Sequence, residues 1–366
     1  MLFHIVSINN NLILCIRKIS SNDELKITLI KYSLMSFFED NEVKGHAIDV
    51  QFYVSQSAVL AHNLLYIAEK PGGASFNHEF SDTKTEHFFA GASSLFPPIF
   101  ELSKRGVLIA QNHMWFDDAE LGLFIAKGIE YSKRWYFSDG NTILGTIIMF
   151  SPIALAASYF FANEGMKTNV PLNLDVITEL AEQFLKYSCT QDCVDLTKAL
   201  SEHVSTRVLP SDKPEDDFNS FLRIHEFENT NLFEFTKFYE NRDLVFYELS
   251  HKYNITQNVG LVTFLRSYDE TNSFRESITQ TFVTLLAEKK DTHIAKRFGN
   301  EIATEVREKA RGIIENGGIF TKVGKKAINE LDHYMRTSQR RNINAGTTAD
   351  ITATVIFLAL LMGYRP

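Results

Sequence analysis

The spacing of apolar residues along the chain is helical almost throughout. Apolar side chains recur every three or four positions, as at Leu232, Phe235 and Phe238, whereas the alternation typical of strands is rare. No proline interrupts residues 215–365, so this long stretch contains no residue that breaks a helix. The pattern predicts an all-α protein of about a dozen helices.

Two segments are apolar on every face. Residues 142–162 carry no charge and are long enough to span a bilayer. However, the segment contains Thr146, Ser151 and Pro152, and no cluster of positive charge flanks it, which favours a buried central helix. Residues 351–362 are too short to span and also predict a core helix. We expect a multi-helix bundle around one or two buried apolar helices; the alternative is a membrane protein built on residues 142–162.

The N-terminal segment differs in composition from the rest. Residues 1–34 are rich in Ile, Leu, Lys and Asn and allow a short strand pair or an extra lobe. We divide the chain into an N-terminal extension of unknown role, residues 1–45, and an all-helical domain, residues 46–366, with little or no sheet outside the extension. No Lys or Arg precedes the apolar start, so we expect no signal peptide.

Composition narrows the function classes. Of the 366 residues, 45% are hydrophobic and 22% are charged, which indicates a substantial core and excludes disordered and disulfide-scaffold chains. The formal net charge of −8 disfavours a nucleic-acid partner. Three cysteines, Cys15, Cys189 and Cys193, suit a reducing cytoplasm, and without a second pair for zinc we expect buried thiols.

Polar residues gather where apolar helices begin. The first such cluster has Lys70 and Gly72 after one long helix, followed by Asp82, Glu86 and His87. Asp82 and Glu86 are four residues apart and would share one face of a helix. Two carboxylates on one face predict a magnesium platform or an acid–base pair. The alternative is that Asp82 caps the helix and Glu86 faces solvent.

A second cluster contains Asn141, Thr142 and Gly145 at the start of the uncharged helix. The backbone N–H groups and the positive dipole end of such a helix attract phosphate, and a glycine lets a ligand approach closely. The alternative is an ordinary N-cap with a glycine needed for packing.

A third cluster runs from Arg340 to Asp350. Two arginines and a glycine lead into the start of the last apolar helix, which predicts an anion site. The alternative is a capping box formed by residues 347–350. A fourth region, Arg242 with Asp243 and residues 291–297, reads alone as amphipathic helix with solvated charges. P-loop, Rossmann and Gly-x-Ser-x-Gly motifs and paired histidines are missing from the sequence, which disfavours the corresponding enzymes.

Taken in order, these segments resemble the triphosphoribosyl-dephospho-CoA synthase family, in particular its archaeal-type branch. The similar stretches are Lys70-Pro71-Gly72, Asp82-Thr83 with Glu86-His87-Phe88, Gly140-Asn141-Thr142 with Leu144-Gly145, Arg242-Asp243-Leu244, Asp291-Thr292 with Ile294-Ala295, and Asn344 with Gly346-Thr347-Thr348-Ala349-Asp350. The resemblance covers residues 50–363. The sequence departs from the family pattern at Ser75, Ile143 and Ala345.

The resemblance implies transfer of the triphosphoribosyl group of ATP to the 2'-hydroxyl of 3'-dephospho-CoA with release of adenine, giving a prosthetic-group precursor. It implies Mg²⁺ as Mg-ATP, with Asp82, Glu86 and Asp350 as metal ligands and catalytic groups and His87 as a further catalytic residue. Substrate or phosphate binding is expected from Lys70, Gly72, Asn141, Thr142, Gly145, Asp291, Arg340, Arg341, Asn344, Gly346, Thr347 and Thr348. The alternatives are ribosyl transfer to a different acceptor, or a non-catalytic helical nucleotide-binding protein, in each case without a nucleic-acid or membrane partner.

Overall fold

The structure is a computed structural model that describes residues 4–7, 13–16, 41–80, 83–135, 141–203, 218–224, 229–339 and 342–366. The chain divides into two compact units, Met1–His46 and Ala47–Pro366. In the first unit, strands β1 (His4–Ser7) and β2 (Ile13–Ile16) pair antiparallel, with His4 opposite Ile16. Within the described ranges this pair is the only sheet; a strand pair was one of the two alternatives that the sequence left open for the N-terminal extension.

Fifteen α-helices lie in the described part of the chain, which confirms the all-α prediction. They are α1 (Asn41–Ile67), α2 (Thr85–Ala110), α3 (Leu121–Lys133), α4 (Leu144–Asn163), α5 (Leu174–Tyr187), α6 (Thr190–His203), α7 (Asn219–Ile224), α8 (Leu232–Tyr239), α9 (Leu244–Ser250), α10 (Val262–Thr271), α11 (Phe274–Glu288), α12 (Thr292–Phe298), α13 (Asn300–Glu315), α14 (Lys322–Thr337) and α15 (Gly346–Leu361). A π-helical turn, Thr256–Leu261, precedes α10.

Helices α4 and α15 form the centre of the second unit. Most of their residues are buried, because both helices are apolar on every face and must be covered by other helices to stay out of water. They pack against each other through the stacked rings of Phe150 and Phe357, whose centroids are 4.5 Å apart. Among the described helices, α4 is the one long and apolar enough to cross a membrane, and 83% of its most apolar window is buried by this chain. The prediction of a buried apolar helix is confirmed.

Glycines bring α2 and α4 close together. A Cβ on Gly91 would stand 2.2 Å from Thr142 Oγ1, and one on Gly106 would stand 2.5 Å from the Leu155 carbonyl oxygen. The order of these contacts shows that α2 and α4 run side by side in the same direction. Their N-termini therefore lie at the same end of the bundle, where the polar clusters of the sequence are found.

Two local predictions were wrong. Helix α15 begins at Gly346 and Ala345 supplies no side-chain cap, so residues 347–350 lie inside the helix and form no capping box. The cap comes instead from Asp291, whose carboxylate accepts the Thr348 N–H at 2.7 Å. Of the cysteines, Cys193 is buried but Cys189 is exposed, because Cys189 precedes the first residue of α6 at the surface.

Candidate functional site

The starts of five helices meet around the first turn of α15. Helices α4 and α12 contact that turn through Thr146 and Asp291. Helix α9 joins them through Thr292 at the start of α12, and α2 joins them through the start of α4. Each helix start carries N–H groups without an intrahelical partner and the positive end of a helix dipole. The contacts below show which sequence-predicted residues this arrangement brings together.

Asp350 joins α15 to the start of α4. Its Oδ1 accepts the Thr146 hydroxyl at 2.7 Å, and a Cβ on Gly145 would stand 2.1 Å from its Oδ2. The side chain is only partly exposed. Burial raises its pKa to about 7, the charges of Asp243 and Asp291 act in the same direction, and the Thr146 hydrogen bond opposes them. A carboxyl that titrates near neutrality is suited to accept a proton.

Asp291 ties α12 to α15. Its Oδ1 accepts the Ile294 N–H at 2.9 Å, while its Oδ2 accepts the N–H and the hydroxyl of Thr348 at 2.7 and 2.8 Å. The residue is fully buried, and burial raises the pKa of its carboxyl. Both oxygens are engaged by protein donors, so Asp291 positions the first turn of α15. Its expected contact with substrate stays a prediction.

Asp243 and Thr292 connect α9 to the same turn. Asp243 caps α9 by accepting the Val245 N–H at 2.9 Å. The Thr292 hydroxyl lies 3.0 Å from the Thr347 hydroxyl and 3.5 Å from Asp243 Oδ1. The amphipathic pattern of the two regions, considered alone, predicts solvated charges here. The signal that pointed to them was the likeness of residues 242–244 and 291–295 to the family pattern.

The start of α4 also contacts α2. Thr142 Oγ1 donates to the His87 carbonyl at 3.5 Å. Asn141 donates to the Ser132 hydroxyl at 3.0 Å and accepts the Ile143 N–H at 2.8 Å. Both Asn141 and Thr142 remain partly exposed. The predicted second cluster therefore lies at a helix start, next to the first turn of α2.

Helix α2 begins at Thr85, and its first turn carries two of the predicted catalytic residues. Glu86 is exposed. His87 Nδ1 accepts the Lys84 N–H at 3.0 Å, so the neutral ring carries its proton on Nε2. Asp82 lies outside the described residues. The predicted pair of carboxylates on one helical face therefore stays a prediction.

Another of the predicted binding residues is Lys70. Its side chain is buried with 5% exposure, and its Nζ donates to the carbonyl oxygens of Leu65, Ala68 and Ala74 at 2.6, 2.9 and 2.9 Å. Burial lowers its pKa to about 7. An ammonium has three donors, and all three are engaged. Lys70 therefore stabilises the end of α1, and its expected contact with a phosphate stays a prediction.

The loop after Lys70 packs against the segment that leads into α15. Gly72 adopts a φ of +66°, and its N–H donates to Asp332 Oδ1 at 2.9 Å. A Cβ at Gly72 would stand 2.4 Å from the Ile343 carbonyl oxygen. Arg336 donates to the Gly73 carbonyl at 2.7 Å. Gly72 is needed for this close packing, and its expected contact with substrate stays a prediction.

The remaining residues of the third cluster surround the start of α15. Asn344 and Gly346 are partly exposed, whereas Thr347 and Thr348 are buried. A Cβ on Gly346 would stand 3.2 Å from His293 Cγ. Arg340 and Arg341 lie outside the described residues.

Two further features concern ligands. Within the described ranges, no group of three His, Cys, Asp or Glu side chains is arranged to hold a metal ion. The described side chains alone therefore do not supply a complete set of protein ligands for Mg²⁺. Two cavities, of about 360 and 750 Å³, are lined by residues outside the meeting helix starts, one beside Glu69 and one beside Trp115. The candidate site is the junction of helix starts, and neither of these two cavities is lined by its residues.

Comparisons with known proteins identify the family of the chain and a structure that shares its fold. The CitG family model, described as ATP:dephospho-CoA triphosphoribosyl transferase, matches residues 52–366. Proteins from Salmonella typhimurium and Salmonella gallinarum named 2-(5''-triphosphoribosyl)-3'-dephosphocoenzyme-A synthase are 27% identical over 112 residues, which cover 31% of this chain and 36% of each relative. A crystal structure from Archaeoglobus fulgidus, described as a triphosphoribosyl-dephospho-CoA synthase, shares the fold with a TM-score of 0.53 and 20% identity, covering 75% of this chain and 99% of that one.

Proposed function

The chain belongs to the CitG family of ATP:dephospho-CoA triphosphoribosyl transferases, and from this premise we propose that it transfers the triphosphoribosyl group of ATP to the 2'-hydroxyl of 3'-dephospho-CoA. Adenine is released, and the product is a prosthetic-group precursor. One structural observation supports the proposal most: Asp350, a carboxyl with a pKa of about 7, lies where the start of α15 meets the start of α4. We place this activity in the cytoplasm, which the low cysteine content favours.

Asp350 is our candidate for the general base. The acceptor hydroxyl oxygen forms a bond to C1' of the ATP ribose while the bond from C1' to adenine breaks, and the hydroxyl proton passes to the carboxylate. The reacting carbon gains positive charge in the transition state, and a carboxylate nearby stabilises that charge. Thr146 holds Oδ1 of Asp350, so the carboxylate is oriented before substrate binds.

His87 is our candidate for the donor to adenine. Its Nδ1 is occupied by the Lys84 N–H, which leaves the proton of the neutral ring on Nε2. A hydrogen bond from Nε2–H to the adenine nitrogen that takes up the electron pair would stabilise the charge on the leaving group as the bond to C1' breaks. The proton that completes free adenine comes from solvent, and Asp350 later returns the hydroxyl proton to solvent. Glu86, in the same turn of α2, is our candidate for a further acidic group at the site. Glu86 and Asp82 together are the proposed ligands for a divalent cation.

The triphosphate would lie over the helix starts. Asn141 and Thr142 at α4 and Asn344 and Gly346 at α15 are partly exposed there, and helix N-termini favour anions. Mg²⁺ would arrive with the nucleotide, since this ion is commonly held by substrate phosphates and one or two carboxylates. The buried residues Thr347, Thr348 and Asp291 would hold the first turn of α15 in place through their hydrogen bonds.

The direct test is product analysis. Purified protein is incubated with Mg-ATP and 3'-dephospho-CoA, free adenine is measured by chromatography, and the mass of the coenzyme product is determined. The proposal predicts adenine in equal amount to a product that has gained a triphosphoribosyl group. If adenine is released only with a different acceptor, the assignment of 3'-dephospho-CoA as substrate is wrong. If ATP binds but no acceptor leads to adenine release, the enzymatic proposal is overturned.

A further inference from the structure

A transferred triphosphate carries several negative charges and needs a cationic side chain to bind it. The sequence pointed to Lys70 for this task, but Lys70 is buried and its three donors are engaged by carbonyl oxygens. Another described lysine, Lys296 on α12, reaches the meeting helix starts. Its Nζ donates to Asp243 Oδ2 at 2.5 Å.

Lys296 and Lys70 differ in what their ammonium groups can still bind. The side chain of Lys296 is 34% exposed, and that of its partner Asp243 is 20% exposed. Among the residues that the structure describes, the ammonium forms one hydrogen bond, to Asp243, and an ammonium has three donors. A cation that is partly exposed and has donor capacity left is able to bind an anionic ligand, whereas the ammonium of Lys70 is not.

The position of Lys296 is fixed by its partner. Asp243 caps α9 through the Val245 N–H, and its other contact is the Thr292 hydroxyl, which in turn lies 3.0 Å from the Thr347 hydroxyl in the first turn of α15. Two groups, the Asp243 carboxylate and the Thr292 hydroxyl, therefore link the Lys296 ammonium to the first turn of α15. A side chain already held in place loses less entropy when it binds a ligand.

We propose that Lys296, held by Asp243, is a cationic side chain that binds the polyphosphate chain of the nucleotide at this site. The assignment rests on the proposed function only for the identity of the nucleotide. A polyphosphate would add oxygen acceptors to an ammonium that keeps its contact with Asp243, so binding does not require the ion pair to break. Charge-assisted hydrogen bonds of this kind are among the stronger polar contacts in proteins.

The test uses inorganic tripolyphosphate as the probe, because its binding is measured without any turnover. Calorimetric dissociation constants are compared for the wild type, Lys296→Met, Lys296→Arg and the control Lys326→Met. Lys326 lies on α14, is 79% exposed and pairs with Glu330. We expect Lys296→Met to weaken binding by about tenfold or more, Lys296→Arg to stay within about threefold of the wild type, and the control to match it. The KM for ATP should rise in parallel in Lys296→Met, with a smaller change in kcat.

The outcomes separate this proposal from the proposed reaction. No measurable binding of tripolyphosphate by the wild type, or equal binding by the wild type and Lys296→Met, would overturn the role of Lys296. Equal losses in Lys296→Met and Lys296→Arg would also overturn it, since the arginine keeps the charge. If Lys296→Met loses tripolyphosphate binding but the wild type releases no adenine with 3'-dephospho-CoA, the polyphosphate site stands and the proposed reaction fails.

Discussion

Asp350 and Gly145 lie against each other so closely that a Cβ on Gly145 would stand 2.1 Å from an oxygen of the Asp350 carboxylate. This contact joins α15 to α4, the two buried helices, at the end where their N-termini meet. The carboxylate accepts a hydrogen bond from Thr146, the next residue of α4. Only a glycine at position 145 lets the carboxyl occupy this place, so the position of Asp350 depends on a residue of another helix.

Replacing Gly145 with Ala should therefore displace the Asp350 carboxylate. We expect adenine release to fall by about tenfold or more, because a small misplacement of a reacting group is costly, while the protein still folds. Gly312→Ala on α13 is the matched control, since a Cβ there meets nothing within 4 Å and alanine favours a helix over glycine by about 1 kcal/mol. Equal activity of the two variants would contradict the role given to this contact.

The pH dependence of the reaction should report Asp350. Its carboxyl must be ionised to accept a proton, and burial raises its pKa to about 7. We expect kcat/KM for 3'-dephospho-CoA, at saturating Mg-ATP, to rise about tenfold per pH unit below neutrality and to level off above it. A rate that is already constant from about pH 5 upward would indicate that a carboxyl with an ordinary pKa is the base, or that no base is needed.

The stability of the protein should respond to the same carboxyl. The folded-state pKa of Asp350 is raised from 3.8 to about 7, so the folded protein binds more protons than the unfolded chain between these values, and stability is lost as pH rises through this window. Asp350→Asn removes this loss and keeps an oxygen acceptor for Thr146. The Tm of the variant should be higher than that of the wild type at about pH 8, and the difference in Tm should vanish near pH 4. A variant less stable than the wild type at pH 8 would contradict the raised pKa.

The sequence allowed the helical class, the buried segment of α4 and most of the site segments to be predicted, because these follow from apolar spacing and from residues adjacent in the chain. The functions of Lys70, Asp291 and Asp243 could not be assigned in this way. Each is decided by partners far along the chain or by burial: Asp291 caps a helix that begins at residue 346. A local pattern shows that a charged residue stands near a helix start but not whether its donors or acceptors are already engaged.

Lys70 should matter for stability rather than for binding. Lys70→Met leaves the carbonyl oxygens of Leu65, Ala68 and Ala74 without the donor they now share. We expect the free energy of unfolding, measured with urea, to fall by about 2–4 kcal/mol, with the dissociation constant for tripolyphosphate unchanged in the folded variant. Lys326→Met should change stability by less than about 0.5 kcal/mol. Weakened binding together with unchanged stability would restore the phosphate role expected from the sequence.

The central claim is that the junction of α4 and α15 carries out triphosphoribosyl transfer with Asp350 as its base. The most direct measurement is the rate of adenine release from Mg-ATP in the presence of 3'-dephospho-CoA, compared between the wild type and Asp350→Asn. Removal of a general base lowers such rates by about 10²- to 10⁴-fold, so we predict a loss of at least about a hundredfold in a variant that remains folded and still binds tripolyphosphate. A folded Asp350→Asn variant that releases adenine at close to the wild-type rate would contradict the account.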